Sequence, residues 1–471
     1  MTVSPLDHAV DFWKPVIDPA ELHGLAAYRE PDAPLLRGIN ALQAASAPRR
    51  YRCVDGASGF ALFASIHPIA DVPQTAEVVA DILDPSGEHY SYVLWFPGEG
   101  AVVVPFDPNE AIESFRHEDF VPLRQRTSLP GPLLAFYYSF AKPLLPRALK
   151  RRMRRALARR ALASPFSLGW PTDESLDALM RFLLRIIMLG SARPQLEFGW
   201  FWPDRHPWAV TLTHDVETAA GLARVPRVME LERKSGVRSS FNLVAVDYEV
   251  PDGLLRDLND AGFEVGVHGY THDGLLFSSW PLFLERARVI NEFGRRVGAA
   301  GFRSPATYRN REWMQKLDFE YDSSFSNTAP CEPQPGGCGS FFPFLMGGLV
   351  ELPITLPQDH TLFELFGETD AGTWMTALAR IREAHGMACV LAHPDPAAGY
   401  IGMPENEAHY LRLLGEVVGS EAWRPLARDL ARWWRARSAT PASGFGGLEG
   451  ASFGTAVLDA SGRLVIAPPA R

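Results

Sequence analysis

Between about residues 201 and 437 the sequence alternates between two hydrophobic periods, and this limits the fold more than any other feature. AVTLTHDVE (209–217) reads as a strand, VPRVMELERKSG (225–236) as a helix, RSSFNLVA (238–245) as a strand and DGLLRDLNDAG (252–262) as a helix. FEVGVHG (263–269) is again a strand, PLFLERARVINEFGRRVG (281–298) a helix and AGFRSP (300–305) a strand. Strands joined through helices pair in parallel, which predicts an α/β barrel or an open sheet. Such sheets gather their ligands at the C-terminal ends of the strands. Side chains at those ends are therefore the first place to look for chemistry.

The flanking regions read differently. Residues 1–135 carry short β-rich runs bounded by Gly, Pro and Asp, such as GFALFASIHPI, YSYVLWFPG and AVVVPF, with AEVVADIL as a brief helix or strand. They predict a smaller accessory domain, β-rich or mixed α/β. His67 and His117 stand isolated in it and read as ordinary histidines. Residues 136–200 read as a helical connector. Within it, RALKRRMRRALARR (147–160) has eight basic residues and no acidic one, with Leu149, Met153 and Leu157 as a narrow apolar stripe. That pattern suits a linker helix docked on a neighbouring domain, and equally an anionic membrane surface or an acidic polymer. DESLDALMRFLLRIIMLG (173–190) is a second helix, and the tail 438–471 contains a hairpin turning at Ala460-Ser461-Gly462.

The chain has 46 basic and 55 acidic residues, a formal charge of −9, which argues against general nucleic-acid binding. The N-terminus has no cationic run followed by an apolar core, and LLAFYYSFA (133–141) is too short to span a bilayer, so the cytoplasm is the expected compartment. Contact with the inner membrane face through 147–160 stays open, and the oligomeric state is not legible. Four cysteines do not make a disulfide framework, and Cys331 and Cys338, which bracket EPQPGG, are expected as thiols.

The chemistry-bearing residues sit at successive strand ends. In AVTLTHDVE the period of two puts Asp215 and Glu217 on one face, with His214 and Val216 on the other. Two carboxylates held so close call for a cation or a catalytic role. In HGYTH, His268 and His272 have i,i+4 spacing, and one turn of helix would aim both imidazoles at one ion. Two histidines and one carboxylate, with positions open for water and substrate, make a catalytic metal site rather than a structural one. Arg303, in GFRSPATYR, can hold a carboxylate base ionised. Asp322 and Ser323 of YDSSFS fall in a predicted loop, and CVLAHPD sets His393 at a strand tip, where it can donate a proton to a leaving group.

The order THD, HGYTH, RSP, DSS and LAHP resembles the NodB-type polysaccharide deacetylases of carbohydrate esterase family 4, over roughly residues 208 to 400. The resemblance implies a distorted (β/α)7 barrel holding a divalent ion, commonly zinc, that removes acetyl groups from N-acetylated sugars. It implies Asp215 as general base with Arg303 as its partner, His268 and His272 as metal ligands, and His393 as general acid. Leu391 would line the pocket for the acetyl methyl, and Tyr308 would neighbour a backbone oxyanion site. The family's commonest pattern has two adjacent aspartates; here Val216 follows Asp215, and Glu217 would take the second position as metal ligand. The segments PCEPQPGGCGSFFPF and VELPITLPQDHTLF also resemble a bacterial subgroup of the family, with Asp359 and His360 overhanging the barrel mouth as substrate contacts or as a supporting pair. Two other readings remain at this point: a non-sugar C–N hydrolase on the same barrel, and a non-catalytic glycan-binding protein.

Overall fold

The computed structural model describes residues 4–470 apart from 19–20, 22–23, 32, 45–46, 57, 122–151, 153–154 and 157–167. The run 133–141 and most of the basic segment 147–160 lie outside the described residues. The chain forms two units: one of residues 1–120, 174–205 and 436–471, the other of 121–173 and 206–435.

The first unit is built on a seven-stranded mixed sheet. Its strands are β1 (Ala26–Arg29), β2 (Gly38–Leu42), β3 (Arg49–Asp55), β4 (Ser58–Ala64), β5 (Glu77–Leu83), β6 (His89–Phe96) and β7 (Ala101–Val104). Their order is β1-β2-β7-β6-β5-β3-β4, parallel at β1–β2–β7 and antiparallel elsewhere. AEVVADIL, ambiguous by pattern, is thus a strand. Helix α1 (Asp7–Trp13), α2 (Pro108–Arg116) and α3 (Ser175–Gly190) pack together, α3 also against β2, β4 and β7. Asp107 caps α2, its side chain accepting from the Asn109 and Glu110 amides, and Pro108 follows at the first helical position, where a missing N–H costs nothing. Strand β8 (Gln195–Gly199) pairs with the C-terminal hairpin, Phe453–Leu458 and Leu464–Ala467.

The second unit holds an eight-stranded sheet. Its members are β9 (Ala209–Val216), β10 (Ser240–Leu243), β11 (Glu264–Val267), β12 (Gly301–Phe302), β13 (Tyr321–Asp322), β14 (Phe344–Met346), β15 (Leu349–Glu351) and β16 (Met387–Ala392). The order is β14-β15-β13-β12-β11-β10-β9-β16; every pair is parallel except the β14–β15 hairpin. Helices α4 (Val225–Ser235), α5 (Asp252–Asp260), α6 (Trp280–Val297), α7 (Gly372–Glu383) and α8 (Pro404–Val418) provide crossovers and cover. Strands β9, β10, β11 and β16 are buried along their whole length, as parallel strands covered on both faces must be.

The ladder is open between β14 and β16, but its ends approach through Thr355. The Thr355 amide donates to Cys389 O at 3.2 Å, and its Oγ1 donates to Met387 O and accepts from Cys389 N, each at 2.8 Å. The result is a curled sheet of mixed α/β type. One expectation is corrected: Tyr321-Asp322 is a strand, with Asp322 buried, and not a loop. Gly301 makes that pairing possible, because a Cβ there would lie 1.8 Å from Cζ of Tyr321, its register partner. Among the described residues no helix is long and apolar enough to cross a membrane, and all four cysteines are thiols.

Candidate active site

Strand β9 delivers Asp215 to the C-terminal edge of the sheet, completely buried. Its Oδ1 accepts from Asn242 Nδ2 at 2.8 Å and from Arg303 Nη1 at 3.2 Å. Arg303 is itself wholly buried, and its remaining donors are fixed. Nε reaches Ser323 O at 2.7 Å, Nη2 reaches Ser323 Oγ at 2.6 Å, and Nη1 also meets Thr213 Oγ1 at 2.7 Å. Burial pushes the Asp215 carboxyl up, yet the charges of His268, Arg303 and His393 and the Asn242 hydrogen bond outweigh it and hold the acid below its ordinary value. The guanidinium is the rigid partner, because its planar fork is satisfied on three sides.

Glu217 lies just past the strand, on the same side as Asp215. One ligand atom each of Glu217, His268 and His272 lies within 4.8 Å of the others. Glu217 Oε1 is 3.0 Å from His272 Nε2, and Oε2 accepts from Tyr400 OH at 2.9 Å. Burial raises the Glu217 carboxyl, but His272 and the charges of His393 and His268 pull it well below the usual carboxylate range. Around a tetrahedral ion with bonds of about 2.05 Å, neighbouring ligand atoms sit about 3.3 Å apart, so the pair needs to open by only a few tenths of an ångström.

His268 gives the sharper test of fit. Its Nδ1 lies 3.1 Å from Arg303 O, and a carbonyl can only accept, so Nδ1 carries the proton and Nε2 the lone pair. That Nε2 is buried without a hydrogen-bond partner, an arrangement that costs free energy unless something binds there. Burial lowers the His268 pKa to about 4, so the ring is neutral at pH 7, the form that ligates metal. The three residues therefore fit a divalent ion.

The HGYTH segment reaches this arrangement by a route other than the expected one. Residues 268–272 form no helical turn. Gly269 adopts φ +71°, and a Cβ there would lie 2.5 Å from Pro305 Cδ, so the loop folds back tightly against the RSP segment. Asp247 Oδ2 accepts from the His272 amide at 2.9 Å, and the two imidazole centroids stand 5.5 Å apart.

His393 follows β16. Its Nδ1 lies 2.7 Å from Asp359 Oδ1, its Nε2 is 3.8 Å from Glu217 Oε1, and its ring stacks on Tyr400 with centroids 4.2 Å apart. Burial alone would lower its pKa; the Asp359 carboxylate, with Glu217 and Asp215 beyond, carries it up to about 10. Asp359 does not overhang the mouth as expected. It is fully buried, and its Oδ2 accepts from the His393 and Ile401 amides at 2.9 and 3.0 Å, so its contact is with the histidine behind the site. His360 opens a π-helix, His360–Phe366, and its ring meets Tyr400 edge-on at 5.7 Å. Leu391, buried, lines a pocket together with Trp170, Ile354 and Leu356. The Tyr308 amide is engaged by Pro305 O at 3.3 Å, inside its own turn.

Four contributors escaped the sequence pattern: Asn242, Thr213, Tyr400 and Asp395. Asp395 accepts from the Glu217 amide at 3.0 Å and from Thr218 Oγ1 at 2.5 Å, which sets the path of the chain as it leaves β9. The one available signal was its place two residues after His393. On the opposite face of β9, His214 Nδ1 meets Ala392 O at 3.2 Å and Nε2 meets Glu232 Oε1 at 2.7 Å, with Tyr410 and Ser239 completing a buried network. It ties the strand bearing Asp215 to the residue preceding His393.

No protein-family model matches the sequence, and no curated protein matches it. Solved structures similar to it include a Mycobacterium smegmatis protein assigned as a polysaccharide deacetylase, 21% identical, TM-score 0.43, over 52% of this chain and 95% of that one. An allantoinase is 16% identical, TM-score 0.38, over 50% and 92% of the two chains. The peptidoglycan deacetylase PdaC of Bacillus subtilis, as a mutant, is 12% identical, TM-score 0.34, over 50% and 96%. The chain is thus similar, over about half its length and at low identity, to solved polysaccharide and peptidoglycan deacetylases.

Proposed function

We propose that the chain is a divalent-metal-dependent hydrolase that removes acetyl groups from N-acetylated sugars of a glycan, glycolipid or polysaccharide precursor. The observation that carries this reading is the convergence of Glu217, His268 and His272 beside two buried pairs, Asp215–Arg303 and His393–Asp359. The family resemblance of the five motifs supports the choice of acetamide and sugar. Two imidazoles and one carboxylate suit zinc, with positions left for water and substrate. Bound there, a divalent ion supplies Lewis acidity toward an amide carbonyl and lowers the pKa of water.

The chain's own groups divide the proton work. Asp215, kept ionised by Arg303 and Asn242, takes the proton of the attacking water. His393 turns Nδ1 toward Asp359, which leaves a proton on Nε2 for the departing nitrogen. An amine does not leave as an anion, so this second transfer completes the cleavage.

Acetate release from N-acetylglucosamine oligomers by the zinc-supplemented chain tests the reading, with metal content measured in parallel. His268→Ala is expected to lose both metal and activity, and Asp215→Asn to lose activity with metal retained. Unchanged acetate release by Asp215→Asn removes the mechanism. Ammonia release from cyclic amides in place of acetate redirects it to a non-sugar hydrolase.

A further inference from the structure

A buried charged cluster in the second unit has no part in the proton transfers assigned above. His214 of β9, Glu232 of α4, Tyr410 of α8 and Ser239, which precedes β10, are all closed to solvent. His214 meets an acceptor at each ring nitrogen: Ala392 O lies 3.2 Å from Nδ1, and Glu232 Oε1 lies 2.7 Å from Nε2. Tyr410 OH stands 3.2 Å from Nε2 but commits its proton to Glu232 Oε1, and Ser239 Oγ donates to Oε2 at 2.6 Å. A carbonyl has no proton to give, so Nδ1 carries one, and a second is shared between Nε2 and the carboxylate. Phe241 stacks on the ring with centroids 4.9 Å apart and Tyr410 meets it edge-on at 5.6 Å, which fixes its plane. An ion pair so enclosed gains little stability over apolar residues of the same volume, so its worth lies in what the directed Nδ1–H holds.

His214 immediately precedes Asp215, and Ala392 immediately precedes His393; the two are Cα partners in the β9–β16 register. Strand β16 ends at Ala392, so His393 stands beyond the last ladder residue. Past the two catalytic residues the same segments are tied again, because Asp395 accepts from the Glu217 amide at 3.0 Å and from Thr218 Oγ1 at 2.5 Å. This second tie has no slack: a Cβ on Gly221 would lie 2.3 Å from Asp395 Oδ2, and one on Gly402 would lie 2.3 Å from Asp395 O. Base and acid are thus bracketed by two cross-ties between the chain segments that carry them.

We infer that His214 is a positioning residue for hydrolysis: its Nδ1–H holds the Ala392 carbonyl and so sets the separation of Asp215 from His393, with Asp395 as the second tie. Cleaving an amide requires attack on one side of the bond and protonation on the other, and misplacing such a group by about 1 Å costs about 100-fold in rate. The inference rests on the deacetylase reading for the roles of Asp215 and His393, while the ties themselves are independent of turnover.

Two amide substitutions separate the tie from the packing. Asparagine sets its NH2 near the place of Nδ1, and glutamine near that of Nε2. His214→Asn keeps a donor to Ala392 O and gives up Glu232; His214→Gln keeps a donor to Glu232 and gives up Ala392 O. His214→Asn is therefore expected to melt lower, and His214→Gln to turn over more slowly. For acetate release by the zinc-loaded full chain, His214→Gln is expected to lower kcat about 10- to 100-fold with KM within about twofold, and His214→Asn to recover about tenfold of that loss. A role in packing alone would make kcat follow the melting temperature; that ordering, or equal kcat in the two variants, overturns the inference. Two NMR readings need no turnover. In the parent chain labelled with 15N-histidine, His214 Nδ1 is expected to carry an exchange-protected proton, and a bare Nδ1 overturns the inference even where neither variant folds. The His393 Nδ1–H resonance, shared with Asp359, is expected to move in His214→Gln and to stay in His214→Asn. The same shift in both overturns it. In a parent that releases no acetate these readings decide the tie and the hydrolase reading falls; acetate release with identical resonances in both variants keeps the hydrolase and removes the tie.

Discussion

Asp359→Asn is the substitution that bears most directly on how His393 keeps its proton. The aspartate offers Oδ1 to His393 Nδ1 and to the His360 amide, and Oδ2 to the His393 and Ile401 amides. An asparagine keeps one acceptor oxygen for these two sets of donors, so one set faces its NH2 whichever way the amide turns. In either orientation the His393 imidazolium loses its counter-ion. In the native site His393 is held up to about 10, so it is protonated throughout the neutral range. Returned to its ordinary 6.5, it would be about 3% protonated at pH 8, an approximately 30-fold loss of the acid form. Burial pushes the same way while the charges of Glu217 and Asp215 oppose it; the comparable carboxylate-to-amide change in a catalytic triad costs about 10⁴. The sign follows from the role. A general acid works protonated, so activity falls as pH rises through its pKa. The parent is expected to hold its rate to a higher pH than the variant, which begins to lose rate near or below pH 6.5. The kcat–pH profile for acetate release, measured for both chains at constant zinc saturation, checks this. A variant with the parent's alkaline limb and less than a threefold loss at pH 8 would refute the reasoning.

Glu217→Gln removes the anionic member of the proposed metal set, and competition with a chelator is expected to show zinc affinity down by more than about 100-fold, beyond the range typical of supporting residues. Arg303→Ala leaves the Asp215 carboxylate buried without its counter-charge, and urea unfolding should report a loss of about 3–5 kcal/mol. Gly301→Ala drives a methyl into the Tyr321 ring, whose Cζ would lie 1.8 Å away. Overpacking of that kind costs about 1–3 kcal/mol or more, and a melting temperature within 1 °C of the parent's would show that the two strands yield.

The strand–helix alternation was readable because parallel strands covered on both faces need continuous apolar runs, and β9 and β16 supply them. The strand-end residues were readable for the same reason: Asp215, Arg303 and His393 interrupt those runs with groups a core cannot tolerate unpaired. Asn242 and Tyr400 gave no such signal. Asn242 differs from a neutral core filler only through the carboxylate that β9 brings beside it, and Tyr400 acquires its role by stacking on a ring that arrives from β16. HGYTH misled for a physical reason. The i,i+4 spacing suits a helix, but Gly269 takes a positive φ and folds the loop against Pro305, bringing the same two rings together without one. Asp359 misled through its neighbours, because a polar pair after a proline looks like a loop end, whereas the carboxylate is held inward by two backbone amides and an imidazole.

Arg303 serves the site through two chemically separate groups. Its guanidinium keeps Asp215 ionised, and its backbone carbonyl fixes the protonation of His268 at Nδ1, leaving Nε2 for the ion. Only the first belongs to the side chain. A lineage that exchanged this arginine would forfeit the base while still presenting a correctly protonated imidazole to metal, because every residue carries the carbonyl. On the proposed roles, hydrolysis and metal capture are therefore separable by a single codon in this architecture.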